Sequence, residues 1–135
     1  MNKFKQSDKR WGNMKLGKTR YNMADYGCYI TSIAMVVGAN PYSLLIVFNK
    51  YKIFTDEGLL NNAKAAKALG MVYRYSSSPV GLCIAETDYY KDKGVPQHFF
   101  VWLGHDNLIV DPLTGKESVN KYPIVSFRIF KEKRR

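Results

Sequence analysis

The sequence predicts an α+β fold in one domain over residues 1–135, with helices in its first half and an antiparallel sheet in its second. Three observations carry this reading. Between residues 28 and 69 the apolar side chains recur at the three- and four-residue spacing of helices. Between 71 and 130 they fall instead in short β-type runs, and those runs are separated by turn-forming Ser, Pro, Gly, Asn and Asp. The length of 135 residues suits one ordinary domain with one core.

Residues 1–25 are polar, rich in Lys, Asn and Gly, and show no sustained period, so they read as an irregular arm held down by Phe4, Trp11 or Met14. From Cys28 the pattern changes. Ile30, Ile33, Ala34 and Val37 share one helical face until Gly38-Ala39-Asn40-Pro41 stops the run, which puts Cys28 in the first turn of a core helix. A second helix is expected from Pro41 to about Tyr51. A third is expected over 58–69, with Leu59, Leu60, Ala63, Ala66 and Leu69 on one stripe before Gly70. Strands are expected over 71–75, 80–87, 98–103, 107–111 and 124–130. The terminal Lys131-Glu132-Lys133-Arg134-Arg135 reads as a solvated, frayed basic tail.

Hydrophobic residues make up 46% and charged residues 24%, with Pro and Gly scattered, which excludes a disordered or low-complexity chain. Lys and Arg number 21 against 11 Asp and Glu, a net charge of +10. That excess favours polyanionic partners: nucleic acid, anionic lipid or a teichoic-acid-bearing cell wall. The first ten residues lack a signal-peptide core and no run reaches membrane-spanning length, so synthesis in the cytoplasm with no membrane span is expected. Two cysteines are too few for a disulfide framework, and neither lies in CxxC or Cys/His ligand spacing. Two free thiols, no structural metal and no cofactor are expected.

A thiol at a helix start feels unpaired N–H groups and the positive end of the macrodipole, both of which favour thiolate. A lone cysteine on an apolar helix is nonetheless more often a small core residue. The segment 97–111 shifts that balance for Cys28. A tight turn near 104–106 folds it into a hairpin in which His98, Phe100 and Trp102 share a face with Asn107, Ile109 and Asp111. His98 then lies opposite or diagonal to Asp111. Such a pair fixes the imidazole tautomer and leaves the other ring nitrogen to take a thiol proton. Singly, His98 would read as a core strand histidine and Asp111 as a turn former ahead of Pro112; their shared register favours the pair. His105, in Gly-His-Asp-Asn, reads as an exposed turn residue, and Cys83 as a buried core thiol or an exposed bystander.

Four segments in order, Gln6-Ser-Asp-Lys-Arg-Trp11, Tyr26-Gly-Cys-Tyr-Ile-Thr-Ser-Ile-Ala-Met35, Gln97-His-Phe-Phe-Val-Trp-Leu-Gly104 and Ile109-Val-Asp-Pro-Leu-Thr-Gly115, carry a resemblance. They resemble the successive motifs of papain-like cysteine peptidases of the bacteriocin-leader-processing superfamily, in its stand-alone bacterial and bacteriophage branch. The resemblance spans roughly residues 4–130 and implies a papain-like fold, with the nucleophile at a helix start and the helices packed on a C-terminal sheet. It implies Cys28 as nucleophile, His98 as base, Asp111 as the acidic partner and Gln6 as the oxyanion-hole glutamine. The first three agree with the reading of the residues themselves; Gln6, on its own, would be a surface residue. An exporter-linked member would add a transporter segment and a nucleotide-binding loop, and neither is present in this sequence.

The expected activity is that of a thiol hydrolase cleaving amide bonds in a peptide or a peptidoglycan stem peptide. Such a protein would be held on an anionic envelope by its charge and would act at the wall after lysis or as a virion or tail component. The alternative is a non-catalytic virion structural or nucleic-acid-associated protein that keeps the fold and binds through its Lys and Arg surface.

Overall fold

A computed structural model of the chain describes residues 1–133. The described residues form four α-helices and one six-stranded antiparallel sheet, an α+β fold. The arm over residues 1–22 is irregular, but it is not loose. Trp11 is buried, donates its indole N–H to the Lys5 carbonyl at 2.9 Å and meets Phe4 edge-to-face. Helix α1 (Met23–Tyr26) is a single turn at the end of the arm, capped by the Asn22 side chain accepting from the Asp25 N–H.

Helix α2 (Cys28–Val37) begins at Cys28 and ends at Gly38, whose φ of +75° is the left-handed stop expected there. Helix α3 (Pro41–Lys50) follows, with Asn40 as its N-cap and Pro41 in its first turn. Helix α4 (Asn62–Ala68) starts four residues later than the sequence suggested. Residues 54–60 form a small turn, bridged from Phe54 to Leu60 and bent at Gly58, and Asn61 caps the helix by accepting from the Lys64 N–H. Of the expected stripe, Leu59 and Ala63 are exposed; Ala65 and Ala66 carry the buried face.

The sheet order is β1 (Met71–Ser76), β6 (Ser126–Glu132), β2 (Cys83–Thr87), β3 (His98–Trp102), β4 (Leu108–Asp111) and β5 (Lys116–Val119). Strand β5 gave no signal in sequence because Lys-Glu-Ser-Val is solvent-exposed along its length and pairs only with β4. Strand β2 starts at Cys83 rather than at 80, after Gly81 with a φ of +54°. The basic tail needs correction at its first two residues: Lys131 and Glu132 belong to β6 and pair with Val72 and Met71. Arg134 and Arg135 lie outside the described residues.

Alternation along the strands divides the apolar side chains between two faces. Ile84, Phe99 and Phe130 join Ile30, Ile33, Leu45 and Phe48 in the core beneath the helices. Cys83, Ala85, Phe100, Ile109, Phe127 and Ile129 line the other face, which is covered by Trp102, Tyr122 and Ile124. Cys83 is therefore a fully buried thiol. No single helix among the described residues is long and apolar enough to cross a membrane.

Candidate active site

Cys28 is the first residue of α2, and its position depends on the glycine before it. A Cβ on Gly27 would lie 2.5 Å from the Met23 carbonyl oxygen and 2.7 Å from the Met23 sulfur. The chain passes so close to α1 at this point that no larger residue fits. Gly27 donates its N–H to the Met23 carbonyl at 2.8 Å, and its own carbonyl accepts from Thr31 at 2.9 Å, so it joins the two helices. The Cys28 N–H belongs to the first turn, where helical N–H groups have no intrahelical partner. Cys28 is half-buried and its thiol is free.

His98 opens β3 and Asp111 closes β4, on the face away from the core helices. The observed register pairs Val101 with Val110 and Trp102 with Ile109. One step further, Asp111 falls across from Phe100 and diagonal to His98, one of the two arrangements expected from the hairpin. The Asp106-Asn107 tip makes this register possible, because both residues adopt positive φ, 55° and 54°, as a tight antiparallel turn demands. His105 sits exposed in that turn beside Asp106 and takes no part in the site.

The diagonal pair is bonded: His98 Nε2 and Asp111 Oδ1 are 3.0 Å apart, and both residues are buried. An ionised carboxylate only accepts, so Nε2 carries the hydrogen and Nδ1 is left to face elsewhere. The Cys28 thiol lines the same cavity as the ring. Burial works against the charge on His98, but the bond to Asp111 and the neighbouring Cys28 outweigh it and raise the imidazole pKa from 6.5 to about 9. Asp111 moves the opposite way. Burial would raise it, and hydrogen bonds from His98, Tyr122 and the Leu113 N–H together hold it below the usual carboxylate range.

The sequence reading missed Tyr122. Its hydroxyl donates to Asp111 Oδ2 at 2.5 Å and lies 2.9 Å from the Tyr90 hydroxyl. Leu113 N–H also donates to Asp111 Oδ1, at 3.0 Å, so the carboxylate has three donors. Tyr90 and Tyr122 stand edge-on to the His98 ring at 5.4 and 5.7 Å and shield the His98–Asp111 bond. Gln97, just before His98, is anchored by donating to the buried Glu86 at 2.9 Å. Glu86 in turn pairs with Arg128 at 2.9 Å and accepts from Ser126 at 2.7 Å. No hairpin period in the sequence signals either arrangement, because Tyr122 lies on irregular chain after an exposed strand and Arg128 comes from a strand 42 residues away.

Gln6, a surface residue by its own polarity, is instead buried. It is 2% exposed. Its backbone N–H donates to the Pro112 carbonyl at 2.8 Å, docking the arm on the turn that follows Asp111. Gly115, in the same turn, has a φ of +69°, and a Cβ there would meet the Lys5 nitrogen at 3.1 Å. The Gln6 side-chain Nε2 donates to the Ala24 carbonyl at 3.0 Å. The opposite amide orientation would set two acceptors against each other, so the N–H assignment is chemically forced. One N–H of that amide is committed to Ala24, and among the described residues its Oε1 is buried with no hydrogen-bond partner.

Gln6, Cys28 and His98 line one cavity of about 210 Å³, whose wall also includes Tyr90, Gln97 and Leu113. A second, mostly apolar hollow of about 440 Å³ meets it at Cys28 and is walled by Tyr21, Tyr29, Phe54, Leu60 and Phe99. Cys28 thus stands where two halves of a cleft join. Among the described residues no group of three or more His, Cys, Asp or Glu side chains is arranged to hold a metal ion. Comparison of the chain with protein-family models, with curated proteins and with solved structures gave no match.

Proposed function

We propose that this chain is a papain-like thiol hydrolase that cleaves amide bonds, with Cys28 as nucleophile, His98 as general base and acid, Asp111 as orienting acid and Gln6 as an oxyanion donor. The observation that carries the reading is that His98, with Nε2 bonded to Asp111, lines one cavity together with a thiol at a helix start. In the reaction His98 accepts the thiol proton and the thiolate sulfur attacks the substrate carbonyl carbon. Negative charge collects on the carbonyl oxygen, where the second Gln6 N–H and the Cys28 N–H are suited to receive it. The C–N bond breaks, the imidazolium gives its proton to the departing amine, and a thioester remains. Water, deprotonated by His98, then hydrolyses the thioester and restores the thiol.

The cleft and the charge bear on the substrate. The net charge of +10 suits an anionic cell envelope, so a peptidoglycan stem peptide of a bacterial wall is the substrate class we propose, with action as a free lysin or a virion component. Incubation with purified peptidoglycan and with a general peptide library tests this. Release of amino groups from the wall by the unmutated chain, absent with Cys28→Ala, is the expected result. Cleavage of peptides alone would make a polypeptide the substrate. Cleavage of neither, with duplex DNA bound along a steep salt slope, would replace the enzyme by a nucleic-acid-binding protein.

A further inference from the structure

Tyr122 lies on the loop after β5, outside every segment that suggested catalysis, yet its hydroxyl ends on the catalytic acid. It donates to Asp111 Oδ2 at 2.5 Å, while the opposite carboxylate oxygen serves His98 and the Leu113 N–H. Its other hydroxyl partner is Tyr90, at 2.9 Å, on the segment between β2 and β3 that also walls the Cys28 cavity. Its ring packs on Phe100 at 5.0 Å and on His98 at 5.7 Å. Packing alone would be met by phenylalanine. The hydroxyl is therefore the part that needs a reason.

We propose that Tyr122 is a positioning residue for the Asp111–His98 pair: its hydroxyl, tied to Tyr90, holds the second carboxylate oxygen and limits how strongly Asp111 grips the imidazolium. A carboxylate that shares its charge with a phenol donor attracts the neighbouring imidazolium less than one left bare. Too strong a grip would hinder His98 from giving its proton to the leaving amine. Through Tyr90, the same hydroxyl ties the acid to the wall of the cavity that a substrate enters. The inference rests on the thiol-hydrolase reading, since only there does the proton affinity of His98 govern a reaction.

The groups that face the pair can be named. Cys28 and Asp25 approach from the α1–α2 side, Tyr90 and Tyr89 from the segment before β3, Tyr122 and Lys121 from the loop after β5, and Lys116 is paired with Asp111 in the sheet. Of these, Tyr122 bonds directly to Asp111, and Cys28 shares a cavity wall with His98. Removing the Tyr122 hydroxyl thus changes one bond to the carboxylate and leaves the other charges in place.

The experiment is an NMR pH titration of the imidazole nitrogens in the full chain, in a Cys28→Ala background that removes the thiol. The exposed His105 serves as an internal reference. Tyr122→Phe, which keeps the ring, is expected to raise the proton affinity of His98 roughly three- to tenfold, the size of one charge-assisted hydrogen bond. Tyr90→Phe leaves the Asp111 bond intact and is expected to shift His98 the same way by less; it also serves if Tyr122→Phe folds poorly. With Cys28 restored, Tyr122→Phe should lower kcat more than it changes KM and extend activity to higher pH. A His98 titration that Tyr122→Phe leaves unmoved or moves downward overturns the inference, even in a chain that hydrolyses amides. A Cys28 whose alkylation ignores the loss of His98 overturns the hydrolase reading beneath it, whatever Tyr122 does.

Discussion

His98 Nε2 lies 3.0 Å from Asp111 Oδ1, inside the protein, with the two residues diagonal across neighbouring strands rather than directly opposed. His98 opens its strand, and it lines one cavity with Cys28 at the start of α2.

The first prediction follows from that geometry. His98→Ala should leave the fold intact and slow alkylation of Cys28 by iodoacetamide at neutral pH, because the thiolate loses its imidazolium partner. Hydrolysis should fall by about a hundredfold or more, the usual worth of a positioned general base. Cys83 cannot serve as the reactivity standard, since it is fully buried and burial raises its thiol pKa. A cysteine-containing model peptide is the proper reference, and equal alkylation rates of Cys28 with and without His98 would remove the base from the mechanism.

Asp111→Asn should change the pH profile more than it changes the fold. The amide oxygen can still accept from His98, and Tyr122 can turn its hydroxyl to accept from the new N–H. The imidazolium loses the charge that offsets its burial, so its pKa falls from about 9. Activity that depends on protonated His98 persists up to about pH 9 in the unmutated chain and should be lost at lower pH in the variant. Stability follows the same sign: because the folded pKa is raised, the contribution of His98 is complete below pH 6.5 and disappears as pH climbs through about 9. An alkaline limb that does not move, measured as kcat/KM against pH, would show that Asp111 does not govern the charge of His98.

Much of this site was legible because a hairpin obeys arithmetic. Once a tight turn is placed near Asp106, alternation sends His98 and Asp111 to one face with no further information. The start of α2 was legible too, because the apolar spacing from Ile30 and the stop at Gly38 bracket it. What escaped was whatever depends on irregular chain. Tyr122 reaches Asp111 around an exposed edge strand whose polar sequence carries no period, and Glu86 meets Arg128 only because β6 inserts between β1 and β2, while Gln97 comes from just before β3 on the other side of β2. The early start assigned to α4 failed for a local reason, since Asn61 offers its side chain as a cap after a turn that the leucine stripe had masked.

Gly27→Ala should cost more than its size suggests. The added methyl would meet the Met23 carbonyl oxygen at 2.5 Å, a contact the backbone can relieve only by separating α1 from α2. Overpacking of this kind costs roughly 1–3 kcal/mol, and here it should also displace Cys28 and reduce its alkylation rate. Gly38→Ala is the matched control. Gly38 has a φ of +75° with nothing within 4 Å of an added Cβ, so alanine there pays about 1 kcal/mol of backbone strain and should leave Cys28 reactivity unchanged. Thermal melts paired with alkylation rates separate the two, and equal reactivity in both variants would mean that Gly27 does not set the position of the thiol.

Gln6 provides the sharpest separation between a reactive thiol and a hydrolase. Alkylation by iodoacetamide needs the thiolate but develops no oxyanion, whereas amide hydrolysis needs both. Gln6→Ala should therefore leave the alkylation rate of Cys28 within about twofold while lowering amide hydrolysis by about 10²–10³-fold, the range for loss of one oxyanion donor. Stability must be followed in parallel, because the side chain is buried and its bond to the Ala24 carbonyl is lost together with the donor. The backbone tie from Gln6 to Pro112 does not involve the side chain and should keep the arm docked. Equal losses of alkylation and hydrolysis would mean that Gln6 holds the site together rather than receiving charge from the substrate. Hydrolysis unaffected by Gln6→Ala in a folded protein would leave the oxyanion to the Cys28 N–H and to donors on other residues.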